Sequence, residues 1–327
     1  MITIPLASNG HCFVLDYIYI KTPLMRYTKL WAWLLLFALA AMSAPTQANP
    51  PVFWKYKGQK VPVNHFLTTG GGLGAVAYRD QLSSQRAFNG ISTGLFQSYE
   101  LRTPRKLFVV DGMVQFGAAT DGSGWGGSTA ATILINHTAA FLFHVPFEKS
   151  RLNWHVGPAA QFYGMFRPNT SFGNGALGYD VLSGMGVRSR LELPVSLRTK
   201  SEQKWWIFKI RKIQERTLRF GWEVDLPLMA LNSRPPFVGV LDGVGNDPIS
   251  TGVIDFMENT QFGIVGRYFY MNSRLYAQYP LRNGNRLQMS YHWQGYQYNY
   301  QDQPVRTAAG ALMFSYMFRL DANKDLR

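Results

Sequence analysis

The chain is nearly devoid of sulfur chemistry: its single cysteine, Cys12, lies close to the start. Past that point no thiol is present to form a disulfide, ligate a metal or carry a lipid anchor. Charge is also sparse, with Asp, Glu, Lys and Arg at 16% of 327 residues, and the 19 acids are outnumbered by 33 bases. Histidines are few and scattered, at His65, His137, His144, His155 and His292 beyond the first segment, so no metal site is expected. No cofactor is expected either. Thr69-Gly70-Gly71-Gly72-Leu73-Gly74 lacks the following Lys-Ser/Thr and the helix pattern of a phosphate loop, and reads as close-packed strand glycine. Long apolar runs are missing as well. Leu30 to Ala44 is apolar but falls short of the roughly 20 residues a spanning helix needs, and Pro45 follows it.

That run has a different use. Met25-Arg26-Tyr27-Thr28-Lys29 is a short basic start, Leu30 to Ala44 an apolar centre, and Thr46-Gln47-Ala48 a small-residue cleavage site. Residues 1–48 are therefore expected to be a presequence with a signal peptide, Met25 the true start and cleavage near Ala48, leaving residues 49–327 as the exported chain. The formal net charge of +14 suits contact with anionic lipid or an anionic solute, and nucleic acid is not an expected partner of an exported chain.

What the chain does have is alternation. From Leu218 to Leu228 the even positions are Leu, Phe, Trp, Val, Leu and Leu, and the odd ones Arg219, Gly221, Glu223, Asp225 and Pro227. A strand puts successive side chains on opposite faces, so one face here is apolar and the other charged. The pattern recurs over 65–79, 90–102, 106–119, 129–145, 151–166, 181–198, 216–230, 262–281, 286–299 and 306–320. Tight connections (Thr103-Pro104-Arg105, Glu148-Lys149-Ser150, Arg282-Asn283-Gly284-Asn285) alternate with long ones (81–89, 121–128, 167–178, 232–260). The fold class is all-β: a transmembrane antiparallel up-and-down barrel of about ten strands. Twelve is the alternative if the long insertion at Thr199 to Glu215 adds two strands. Within it, Lys204 to Ile213 mixes aromatic and basic residues, as an interfacial segment or a prolonged hairpin would. The tyrosines and tryptophan of the last third (Tyr268, Tyr270, Tyr276, Tyr279, Tyr291, Trp293, Tyr296, Tyr298, Tyr300) are expected to form interfacial girdles, with a sugar-binding ladder as the alternative for inward ones.

Over residues 49 to 320 the chain resembles bacterial outer-membrane β-barrel proteins. Its last strand, Leu312 to Leu320, carries the alternating aromatics that such proteins use as an assembly signal, although the chain continues through Asp321 to Arg327. The resemblance implies the outer membrane of a Gram-negative cell, outer-membrane lipids as surroundings and the barrel-assembly machinery as a partner.

Strand phase places Glu100, Arg102, Asp111, Arg188, Arg190, Glu192, Arg219, Glu223, Asp225, Arg274, His292 and Arg319 toward the lumen. Arg188 and Arg190 are expected to pair with Glu223 and Asp225 across neighbouring strands. Arg188, Arg190, Glu192, Arg219, Glu223 and Asp225 are the candidate selectivity residues of a narrow pore for small solutes with a basic inner face. The alternative is a lumen plugged by these charges, in a structural or surface-interaction barrel. A third reading is a lipid-modifying esterase with Ser290 and His292 on one strand face. Outer-membrane lipid hydrolases place His before Ser on the outer face, whereas here the order is reversed and the phase points inward. Glu223 and Asp225 have the spacing of the acidic pairs of outer-membrane proteases but no nearby His. The long loop from Asn232 to Thr260 is the strongest loop candidate, as a constriction or an adhesive surface.

Overall fold

In the computed structural model the described residues are 54–56, 59–61, 63–81, 84–122, 127–147, 151–169, 176–197, 216–234, 259–300 and 303–320. Residues 1–53, with the expected presequence, the insertion at 199–215, residues 235–258 of the long loop and the tail at 321–327 lie outside them. A two-stranded pair, Trp54–Tyr56 with Gln59–Val61, precedes the main sheet.

That sheet is a closed antiparallel barrel of ten strands. They are β1 Asn64–Asp80, β2 Ala87–Arg102, β3 Lys106–Thr120, β4 Thr129–Val145 and β5 Asn153–Asn169. There follow β6 Ala176–Leu197, β7 Arg216–Ser233, β8 in two pieces (Thr260–Ile264 and Tyr268–Pro280), β9 Arg286–Tyr300 and β10 Gln303–Arg319. Each pairs with its neighbour in sequence, and β10 closes the ring on β1, from Val305 opposite Asp80 to Arg319 opposite Phe66. Because β6 pairs directly with β7 down to Leu197 opposite Arg216, the two are neighbours in the ring, and the barrel has ten strands rather than twelve.

Alternation is what makes this ring possible. Along β7, Phe220, Trp222, Leu226 and Leu228 are exposed on the outer wall while Gly221, Glu223 and Asp225 are buried inside. The same division runs round the wall, where Leu73, Ile91, Leu95, Phe116, Leu275, Leu312 and Phe314 all stand exposed. An apolar exterior of this extent is stable only against lipid. Closure leaves no unpaired sheet edge in that lipid. Among the described residues no helix is long and apolar enough to cross a membrane, so the crossing is made by strands.

Two irregularities reset the phase. Between β6 and β7, Met185 faces Met229 but Gly186 faces Pro227, so Leu228 is an extra residue and both Leu228 and Met229 point outward. In β8, Val265–Arg267 interrupt the strand in the region where a bulge is expected, with Gly266 at φ 106°. The Asn283-Gly284 signal gives the expected tight hairpin: Gly284 has φ 85°, and the Leu281 amide donates to the Asn285 carbonyl at 2.8 Å. Gly72 on β1 serves close approach instead, since a methyl group there would overlap the Leu312 backbone carbonyl of β10.

Candidate functional site

Inward positions of β2, β3, β6, β7 and β8 bring charges of both signs into one layer of the lumen. Arg188 takes Asp225 through Nε and Nη2, the latter 2.7 Å from Oδ2, and reaches Asp111 at 2.5 Å. Arg190 takes Glu223 and, across the lumen, Glu100 at 2.8 Å. Arg274 joins Glu223 at 2.5 Å to Asp111 at 3.6 Å. Nearer the end that carries the tight turns, Arg102 pairs with Glu192 at 2.6 Å. Each carboxylate has at least two partners: Tyr276 donates to Glu192 at 2.9 Å and Asn272 to Asp225 at 2.9 Å. Four arginines thus meet five carboxylates in a continuous network, and Arg188 and Arg190 are 1% and 0% exposed. A space of about 20 Å³ is left between them, enough for roughly one water.

The network has a second stage above it. Tyr163, Tyr270 and Tyr296 meet ring to ring, at centroid distances of 5.2 and 5.1 Å from Tyr163, and the Tyr163 hydroxyl shares a 2.8 Å hydrogen bond with Thr307. Tyr78, Phe88, Leu134, Met165, Tyr268 and Tyr298 complete this buried layer. At the loop end Arg167 and Arg234 both pair with Asp80 and Asp180, all four buried.

All the expected lumen positions but Arg319 are inside, and Arg188 and Arg190 are paired with Asp225 and Glu223 as their register requires. Arg219 stands apart: it is half-buried at the turn end and forms no ion pair among the described residues. Arg319 does not reach the lumen; it is exposed on the rim, where it donates to Asn64 at 3.0 Å. The girdle expectation fails for Tyr268, Tyr270, Tyr276, Tyr296 and Tyr298, which are buried inside, while Tyr279 and Tyr291 are exposed outside. A tyrosine suits either place, because its ring packs in a dry core and its hydroxyl finds a lumen partner.

Ser290 and His292 face inward, as their phase predicts, with Oγ 3.0 Å from Nε2. Both are buried, and the imidazole packs on Phe96 at 4.8 Å between centroids. The hydroxyl is satisfied but has no path to an ester. His144 and His155, separate in sequence, are cross-strand partners with ring centroids 5.3 Å apart. No group of three or more metal-ligating side chains occurs among the described residues. The Asp80, Arg167, Asp180 and Arg234 cluster was hidden from strand reasoning, since all four sit at or past the ends of the alternating segments.

A closed ten-stranded antiparallel barrel with an apolar outer wall and a charged interior is a bacterial outer-membrane β-barrel. The membrane's lipids surround its wall. No family model and no curated protein matches the chain. Among solved structures it is similar to the outer membrane protease OmpT from Escherichia coli, at 9% identity and TM-score 0.40 over 84% of this chain and 100% of that one. It is also similar to the Pseudomonas putida toluene transporter TodX, at 10% and 0.28 over 86% and 93%. The translocator domain of the autotransporter NalP from Neisseria meningitidis matches at 8% and 0.30 over 88% and 97%.

Proposed function

We propose that this barrel is closed to solutes and serves as a membrane-held scaffold acting through its ends and surface loops. The observation that carries the reading is the lumen network itself, in which Arg188 and Arg190 are buried and committed to carboxylates on both sides. A selectivity ring needs charge left over for the passing ion. Here the guanidiniums are already neutralised, and a tyrosine layer lies above them. The pore for small solutes expected from the basic inner face loses its main support once those bases have partners. The signal peptide and assembly by the barrel machinery belong to the same proposal, as the route by which such a scaffold reaches its membrane.

Planar-bilayer recording of the refolded exported chain, residues 49–327, tests this. Folded protein that gives no discrete conductance steps supports the closed scaffold. Reproducible anion-preferring steps whose preference shifts in Arg188→Gln or Arg190→Gln would overturn it and restore the pore.

A further inference from the structure

Beyond the closed lumen, the turn end carries a site of its own. Arg216, Thr217 and Arg219 at the start of β7, Pro280 at the end of β8, Leu281 and Arg282 in the hairpin, and Arg286 at the start of β9 enclose a cavity of about 310 Å³. Among the described residues it is lined by four arginines and Thr217 with no carboxylate, and the Arg216 guanidinium turns away to Tyr279 on the outer wall. Elsewhere in this lumen every buried arginine of the network has an acidic partner, so the contrast is local and specific.

The partners that these four do have are neutral. Arg286 donates to the Gln278 side-chain oxygen at 2.9 Å and lies 4.9 Å from the Phe66 ring centroid. Arg216 donates to the Tyr279 hydroxyl and stacks 5.1 Å from its ring. Arg219 and Arg282 form no hydrogen bond or ion pair among the described residues. A neighbouring cavity of about 360 Å³ shares Thr217 and Arg219 and adds Arg102, His144, His155 and Glu192, whose carboxylate is already held by Arg102. Among the described lining residues no acid is left over in either cavity.

Guanidinium forks bind tetrahedral oxyanions through paired, charge-assisted hydrogen bonds. Three of them, on Arg219, Arg282 and Arg286, beside one small cavity with no acid among its described lining residues, call for more than one negative charge, which favours a phosphate over a single carboxylate. We infer that this turn-end pocket is a binding site for a phosphate group, taken either as a free phosphate or as the headgroup of an anionic phospholipid. Because the ion network closes the lumen above it, the pocket is a terminal site at the turn end rather than a vestibule. Its occupancy does not depend on whether the barrel conducts, so the two proposals fail separately.

The test uses the full exported chain at low ionic strength, where exposed charges are least screened. One arm titrates inorganic phosphate into protein in nonionic detergent by calorimetry. The other measures enrichment of phosphatidylglycerol over phosphatidylcholine in nanodiscs holding the protein. The variants are Arg219→Gln with Arg286→Gln, and separately Arg282→Gln, which sits exposed in a turn and leaves the barrel wall intact; heat-modifiable gel migration reports folding. The expected result is phosphate binding weakened at least tenfold in the double variant and several-fold in Arg282→Gln. Loss of phosphatidylglycerol preference in the same variants, without measurable free-phosphate binding, equally supports the site and assigns its source to lipid. Folded wild-type protein that takes neither probe overturns the inference, as does binding that all variants retain.

Discussion

Arg188 on β6 and Asp225 on β7 stand directly opposite one another in the strand register, and their side chains close a two-pronged ion pair inside the barrel. Asp111 binds the remaining edge of the same guanidinium from β3. The pair ties adjacent strands, and the third partner ties them to the far side of the ring.

Removing Arg188 alone should therefore be severe. Arg188→Met leaves Asp225 and Asp111 buried with less positive charge beside them, and breaking a buried pair in this way costs about 3–5 kcal/mol. Urea unfolding in detergent micelles is expected to show that loss. Combining it with Asp225→Leu removes the stranded charge as well, and the double variant is expected to be more stable than Arg188→Met alone. With the Asp225→Leu single variant completing the cycle, strictly additive losses would show that the charges are not energetically coupled.

Ser290 is expected to behave as a structural hydroxyl. A fluorophosphonate that labels active serine hydrolases should leave folded protein unlabelled, because the hydroxyl is 1% exposed beneath the inner wall. Ser290→Ala should leave any lipid hydrolysis by the purified protein unchanged. Labelling at Ser290 that disappears in His292→Ala would revive the esterase.

Gly72 guards the seam. Placing valine there drives a side chain against the Leu312 carbonyl on the strand that closes the ring. Gly72→Val is expected to cut the yield of heat-modifiable, folded barrel several-fold. Leu73→Val, one residue along on the exposed lipid face, should be nearly neutral.

Strand number and facing were legible because lipid on one side and a filled lumen on the other demand opposite chemistry at alternate residues, as in Phe220 to Asp225. Neighbouring charges were legible for the same reason: once β6 and β7 are adjacent, Arg190 has to look for Glu223. Contacts across the lumen were not. Nothing in the local pattern joins Glu100 to Arg190 or Asp111 to Arg274, since those depend on how a closed ring brings distant strands face to face. That is also why Arg219 could not be told from Arg188 beforehand. Both lie in the inward phase, and only the three-dimensional allotment of five carboxylates leaves Arg219 without an ion pair among the described residues. The tyrosines escaped because their amphipathic side chain satisfies an interface and a lumen alike, so alternation fixed the face of Tyr270 without revealing its neighbours.

The seam between first and last strands also carries a mark of the closed ring. Asp80, at the end of β1, is held by Arg167 from β5 and Arg234 from the end of β7, so its partners are 87 and 154 residues away. Local folding cannot bring them together; only a nearly completed ring does. The ion pairs on Asp80 are thus a record of closure: they exist only where strands from distant parts of the ring stand face to face.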